Sequence, residues 1–217
     1  MINQALTVAD FPEVKYIYDV EAITLEYGYY NWIHGDLKNS KVVFIDIGYT
    51  HVNIFGVSYE QDKPFKIEYC FNSTSYGGKF VDEAFVEYVV HRLKEEYNID
   101  ECTLMDNPRD KLTIFNSCSE AKFLFSTDSV DAITLSFALY CYGDDDITID
   151  ITLDEFKHIC RKTRIQKVIC NMFERCIKEC GDVQSILFEG SLSRLNIFTE
   201  CVKEVLSRNP SCTPQIV

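Results

Sequence analysis

Two periodicities divide the chain. Apolar residues run together or alternate in short segments over 41–71, and recur at every third or fourth position over 80–97 and again over 156–177. The first pattern predicts strands and the second helices. Lys41-Val42-Val43-Phe44-Ile45 is an apolar run ending in Asp46-Ile47-Gly48, and a second strand leaves through Val52-Asn53-Ile54-Phe55-Gly56-Val57. Together they read as a hairpin whose tight turn presents backbone amides. Alternation in Phe65-Lys66-Ile67-Glu68-Tyr69-Cys70-Phe71 adds a third strand. Gly77-Gly78 then precedes a helix over 80–97, with Val81, Phe85, Val89 and Leu93 as its apolar stripe and Asp82, Glu83 and Glu87 toward its N-terminal end.

Upstream, Val14-Lys15-Tyr16-Ile17-Tyr18 reads as a short strand. After Asp19, residues 21–27 form a helical stretch ending at Gly28, and 32–40 is a polar connection containing Gly35 and Asp36. Downstream come a helix over about 110–125 and two strands, 132–140 and 147–151, separated by Gly143-Asp144-Asp145-Asp146. Thr152 and Glu155 form a capping box that opens one long helix carrying Phe156 through Ile177. A buried strand at 185–188, the turn Glu189-Gly190-Ser191 and a helix over 193–207 follow. The loop 208–214 is expected to end without a partner element, as in a fragment of a larger protein. The element order predicts an α/β fold, a mixed sheet carrying the meander and flanked by helices. Residues 1–79 and 151–217 would form a core subdomain, with a smaller α+β subdomain inserted at 80–150.

Composition narrows the function classes. With 47% hydrophobic and 25% charged residues, the 217-residue chain is ordinary for a globular protein. Thirty-four acidic against 21 basic residues give a net charge of −13, which disfavours nucleic acid and anionic membrane as partners. The first residues lack a basic leader followed by an apolar run, and no apolar stretch approaches the ~20 residues that span a bilayer. The ten cysteines include no Cys-x-x-Cys pair, so free thiols in a reducing, cytoplasmic compartment are expected. Cys160, Cys170, Cys176 and Cys180 read as small residues of the one long helix.

Three segments could carry chemistry, and each has a plainer reading. Asp46, at the end of a buried strand, could hold magnesium-bound water while Gly48 lets backbone amides approach phosphate; otherwise it is an exposed turn acid. Tyr76-Gly77-Gly78 before a helix is a phosphate cradle or a flexible turn. Gly190-Ser191-Leu192-Ser193-Arg194 permits close approach of a ring or sugar, with an arginine able to stack on a base, or is a strand–helix turn with a solvated arginine. His51 is the one histidine near these segments, and reads as a tolerated replacement more than an acid–base group.

In order and spacing these segments resemble the second lobe of the actin-like (ribonuclease H-like) nucleotide-binding domain of the DnaK-type, seventy-kilodalton heat-shock chaperones. Tyr18-Asp19-Val20-Glu21-Ala22 through Gly28 is similar to that family's Asn-Glu-Pro-Thr-Ala…Tyr-Gly segment, and Val43 through Gly48 to its second phosphate motif. Gly77 through Asp82, Cys118-Ser119-Glu120-Ala121-Lys122 with Ser126, Ile151 through Phe156, and Glu189 through Arg194 match four further motifs. The resemblance implies binding of ATP or ADP with Mg2+ in the full-length context. Asp46 would organise magnesium-bound water, and Asp19 would stand at the catalytic glutamate. Gly48, Gly77 and Gly78 would line the phosphates, and Lys122, Ser126, Gly190, Ser191 and Arg194 would surround adenosine. It also implies partners: the first lobe of the same domain, and chaperones or unfolded client proteins.

The departures are concentrated at the phosphates. Asp19 is one methylene shorter than glutamate, and the family's Gly-Gly-Thr-Phe-Asp becomes Tyr49-Thr50-His51-Val52-Asn53. Ser119 and Phe123 replace an acid and an arginine. The Val-Val-Phe-Ile-Asp-Ile-Gly-Tyr-Thr pattern is closer to the large, hundred-and-ten-kilodalton branch, whose members act mainly as exchange factors and holdases. Half a cleft implies weak or no ATPase activity alone. An interaction module that kept the fold and lost the ligand is the alternative, with another actin relative or a sugar kinase as a third.

Overall fold

The structure, a computed structural model, describes all residues except 1, 12–13, 35–38, 62, 127–129 and 144–145, and at 2–3 the backbone alone. The fold is mixed α/β. Strands β1 (Ser40–Ile47), β2 (Val52–Tyr59) and β3 (Lys66–Ser73) form the expected antiparallel meander. Strand β6 (Ser185–Glu189) joins β1 in parallel, and β7 (Gln215–Ile216) joins β6, giving the order β3-β2-β1-β6-β7. Pairing both antiparallel and parallel neighbours makes β1 the sheet's centre, and six of its eight residues are buried.

Both faces of this sheet are covered, which is why its central strands are apolar runs. Val43, Ile45, Ile47, Val52 and Ile54 face the main core with Ile169, Phe173 and Ile177 of helix α7 (Ile165–Cys180) and Phe198 and Val202 of α8 (Asn196–Ser207). The alternate residues Val42, Phe44, Phe55, Val57 and Tyr59 pack on the other face under Val20, Ile23 and Tyr27 of α2 (Asp19–Ile33), the helix that follows α1 (Ile2–Val8). The Phe44 and Phe55 rings stack at 4.9 Å across the β1–β2 pair.

Strands β4 (Ala132–Phe137) and β5 (Ile147–Thr152) form a separate antiparallel pair. Ile147, Ile149 and Ile151 point inward, and α3 (Gly78–Tyr97), α4 (Glu101–Asp106) and α5 (Pro108–Ala121) pack beside them. The stripe Val81, Phe85, Val89, Leu93 is buried as its spacing requires. Asp110, fully buried, accepts the backbone amides of Tyr140 at 2.7 Å and Cys141 at 3.0 Å, tying α5 to the segment after β4.

Four expectations fail for identifiable reasons. Residues 14–18 form no strand: the sheet edges are β3 and β7, and Tyr16, Ile17 and Tyr18 stand exposed. Helix α2 runs through Gly28 to Ile33, because that glycine makes room for the Tyr59 ring, whose hydroxyl donates to the Thr24 carbonyl at 2.9 Å. The long helix is two, α6 (Leu153–Lys162) and α7, so Cys160 lies on a different helix from Cys170, Cys176 and Cys180. At the break the Thr163 hydroxyl donates back to the Cys160 carbonyl at 2.6 Å and Arg164 takes a positive φ of 61°. The loop 208–214 does reach a partner, since Gln215 and Val217 hydrogen-bond alongside β6. Gly35, Asp36, Asp144 and Asp145 lie outside the described residues. The ten cysteines are free, five of them buried.

Candidate functional site

The sheet register assembles the candidate site. Asp46, next to last in β1, lies opposite Asn53 on β2, which lies opposite Asn72 on β3. Directly opposed residues share a face, and these three form a polar row. Asn53 Nδ2 donates to Asp46 Oδ2 at 2.8 Å, and Asn72 Nδ2 donates to Asn53 Oδ1. Only 6% exposed, Asp46 also meets the imidazole of His51, with Nε2 at 2.9 Å from Oδ2. His51 is therefore oriented by a carboxylate, which its position in the sequence did not reveal.

On the other side of β1, Asp46 is in register with Glu189. Burial raises the Glu189 carboxyl above its usual range, and the neighbouring charges of Glu26 and Asp46 add to the effect. Gly190 then turns across the end of β1 with φ 81° and ψ 157°. A β-carbon there would lie 2.5 Å from the Ile47 carbonyl oxygen and 2.8 Å from Asp46 Oδ1. Only glycine permits this approach.

The hairpin turn docks on the start of α3. Gly48 donates its amide to the His51 carbonyl and accepts from the Gly78 amide, both at 3.0 Å, while Lys79 donates to the Tyr49 carbonyl at 2.8 Å. A β-carbon on Gly77 would strike the Tyr49 carbonyl oxygen at 2.6 Å. Three amides at the expected phosphate end are thus donating to backbone carbonyls. The His51 ring also lies against Gly48, its Cε1 and both nitrogens within 2.5–2.9 Å of where a β-carbon would be.

Lys122 is 2% exposed and pairs with the fully buried Asp82, Nζ to Oδ1 at 2.6 Å. Ser119 Oγ donates to Asp82 Oδ2 at 3.3 Å, and the ammonium lies 5.7 Å from the Tyr49 ring centroid and 5.0 Å from that of Phe123. Ser126 donates its hydroxyl to the Phe123 carbonyl at 2.6 Å. Ser191 and Arg194 are exposed on the short turn Ser191–Arg194, beside Gly190. Asp19 is exposed at the first residue of α2.

Of the expected residues, Asp46, Gly48, Gly77, Gly78 and Gly190 thus converge, with Ser191 adjoining. Lys122 is linked to them through Tyr49. Among the described residues no hydrogen bond or ion pair joins Asp19, Ser126 or Arg194 to Asp46. Sequence reasoning missed Asn72, Glu189, Glu26 and Asp82 as neighbours. Counting alternation along β3 would have found Asn72, and Glu189 adjoins a glycine already singled out. Asp82 is 40 residues from Lys122 and gave no signal.

The Hsp70 protein family matches residues 1–214, and the chain belongs to that family. Heat shock protein 110 of Caenorhabditis elegans is 25% identical over 218 residues, covering 98% of this chain and 27% of the relative. Human heat shock 70 kDa protein 4L is 24% identical over 217 residues, and Arabidopsis thaliana heat shock 70 kDa protein 14 is 23% identical over the same length; each alignment covers 98% of this chain and 25% of the relative. The chain spans about a quarter of the length of these proteins.

A family nucleotide with its magnesium fits these residues in part. The close turn at Gly190 leaves a surface free of side chain, and Asp46 is an acid at the right strand end. No group of three or more His, Cys, Asp or Glu among the described residues is placed to hold a metal ion. The amides and the His51 ring at Gly48 do not fit phosphate as they stand. Among the described residues no helix is long and apolar enough to cross a membrane.

Proposed function

We propose that the chain is the second lobe of a divergent heat-shock chaperone or co-chaperone nucleotide-binding domain, taking ATP or ADP with Mg2+ against the Asp46, Gly190 and Gly77-Gly78 ends. The observation that carries this reading is the convergence of three glycine turns, distant in sequence, around one buried strand-end carboxylate. Bound magnesium would supply positive charge between phosphate and the Asp46–Glu189 pair. Gly190 and Ser191 would admit the sugar and base, and the exposed Arg194 would cover the ring. Residues 1–79 and 151–217 would carry the sheet, and 80–150 the adenosine-facing subdomain.

The first lobe of the same domain is the proposed partner. Leu25, Tyr29, Trp32 and Ile33 of α2 are exposed, as are Tyr16, Ile17 and Tyr18 just before it, and an apolar stretch this continuous marks a surface to be covered. Protein folding, nucleotide exchange or client holding in the cytoplasm would be the task of the whole assembly, with hydrolysis by this lobe alone weak or absent. Calorimetric titration with ADP and magnesium tests the reading. Saturable heat abolished by Arg194→Glu supports it, and a flat trace at millimolar ADP counts against it.

A second reading has its own support. His51 against Gly48 and Lys122 paired with Asp82 support the reading of an interaction module that has kept the fold and given up the ligand. No thermal stabilisation by magnesium nucleotide, in this chain or in the full-length protein, would favour it.

A further inference from the structure

The phosphate end is closed by one side chain. His51 is held at both ends of its contact: its Nε2 meets Asp46 Oδ2 at 2.9 Å, and its ring edge rests on the bare face of Gly48. Gly48 therefore has a purpose independent of any phosphate, because a methyl group at that position would overlap the imidazole. The side chain is only partly covered, 29% exposed against 8% for Asp46, so the ring forms the outer wall and the carboxylate lies behind it. Asn53 occupies Asp46 Oδ2 from the strand side, and Gly190 lies across Oδ1. Asn53 is buried and held in turn by Asn72, and Gly190 is backbone, so the partly exposed ring is the cover that a χ rotation removes most readily.

We propose that His51 is a built-in stopper that a magnesium nucleotide must displace, resting on the nucleotide-binding reading above. The neighbourhood makes displacement costly. Glu189, in register with Asp46 and itself close to Glu26, adds negative charge beside Asp46, and Lys122 is already paired with Asp82. An anionic phosphate gains nothing here until a cation arrives, and the cation's waters need the Asp46 oxygen that His51 holds. Nucleotide binding, magnesium binding and movement of His51 are therefore one coupled event.

The test is a set of calorimetric titrations at fixed pH on the 217-residue chain, wild type, His51→Ala and His51→Gln, with ADP in the presence and absence of magnesium. Thermal melts confirm that each variant folds. Giving up one hydrogen bond to a charged group predicts that His51→Ala binds magnesium-ADP at least about tenfold more tightly than wild type. Glutamine keeps a donor and comparable bulk, so His51→Gln should bind like wild type. Omitting magnesium should erase the alanine gain. Equal, saturable affinity for wild type and His51→Ala would overturn the stopper and leave the nucleotide site standing. A gain that persists without magnesium would overturn the coupling to Asp46. Absence of binding in all three proteins would remove the nucleotide reading itself, and the stopper with it.

Discussion

Lys122 is the most deeply buried cation among the described residues, and substituting it or its partner gives the sharpest energetic test of the site. Lys122 is 2% exposed and Asp82 0%, with 2.6 Å between Nζ and Oδ1. Removing one partner leaves the other as an uncompensated buried charge, which costs about 3–5 kcal/mol. That is a large share of the ~5–15 kcal/mol typical of a folded domain. Replacing both by apolar residues of similar volume removes desolvation along with attraction and costs little. Lys122→Met and Asp82→Leu should therefore each lower the urea midpoint strongly, while the double variant recovers most of the loss. The coupling energy of the cycle should be at least about 3 kcal/mol. Urea unfolding followed by circular dichroism, with a constant slope m across the set, measures it. Single losses below ~1 kcal/mol that simply add would refute the buried pair and return Lys122 to the pool of ligand-binding groups. Loss of nucleotide affinity in a Lys122 variant reports on the fold, whereas Arg194, exposed on its turn, reports on contact.

Three further outcomes follow. Glu155 is held at about 2, because bonds from Tyr88 and from the Thr152 amide and hydroxyl, with the Arg92 charge, together outweigh the burial that pushes it up. Its folded value is below its unfolded one, so the stability it gives is present above about pH 4.5 and lost as pH falls through 2. Discounted for its partial exposure, the slope is worth ~1–2 kcal/mol, and acid titration of unfolding in Glu155→Gln should show it flattened. Gly56→Ala would bring a β-carbon to 2.1 Å from Cys180 Sγ, an overpacking cost of ~1–3 kcal/mol; adding Cys180→Ala should restore most of it in thermal melts, and an additive double variant would contradict the contact. Gly190→Ala should cost at least ~1–3 kcal/mol for its backbone angles alone, read as a lowered urea midpoint, and an unchanged midpoint would mean that the turn lies farther from Ile47.

The parts legible in the sequence were those set by local period and turn chemistry. The β1–β2 hairpin, the α3 stripe and the Thr152–Glu155 cap are determined by residues a few positions apart. The parts that escaped depend on distant packing. Gly28 resembles a helix terminator until the Tyr59 ring, delivered by β2, explains it. Residues 14–18 have strand composition, yet a strand needs a neighbour, and the sheet edges are β3 and β7. At the site, the glycines were found because close backbone approach requires them. The Lys122–Asp82 pair and the His51–Asp46 contact were not, since nothing in a charge's sequence position tells which opposite charge the fold will bring beside it.

The central claim, that the glycine turns around Asp46 form a nucleotide site, is tested most directly by 15N-glycine amide spectra recorded as magnesium-ADP is added. The account predicts saturable shifts at Gly48, Gly77, Gly78 and Gly190, with Gly143 and Gly181, which lie on other turns, unmoved. Shifts confined to other glycines, or none at millimolar nucleotide, would contradict it.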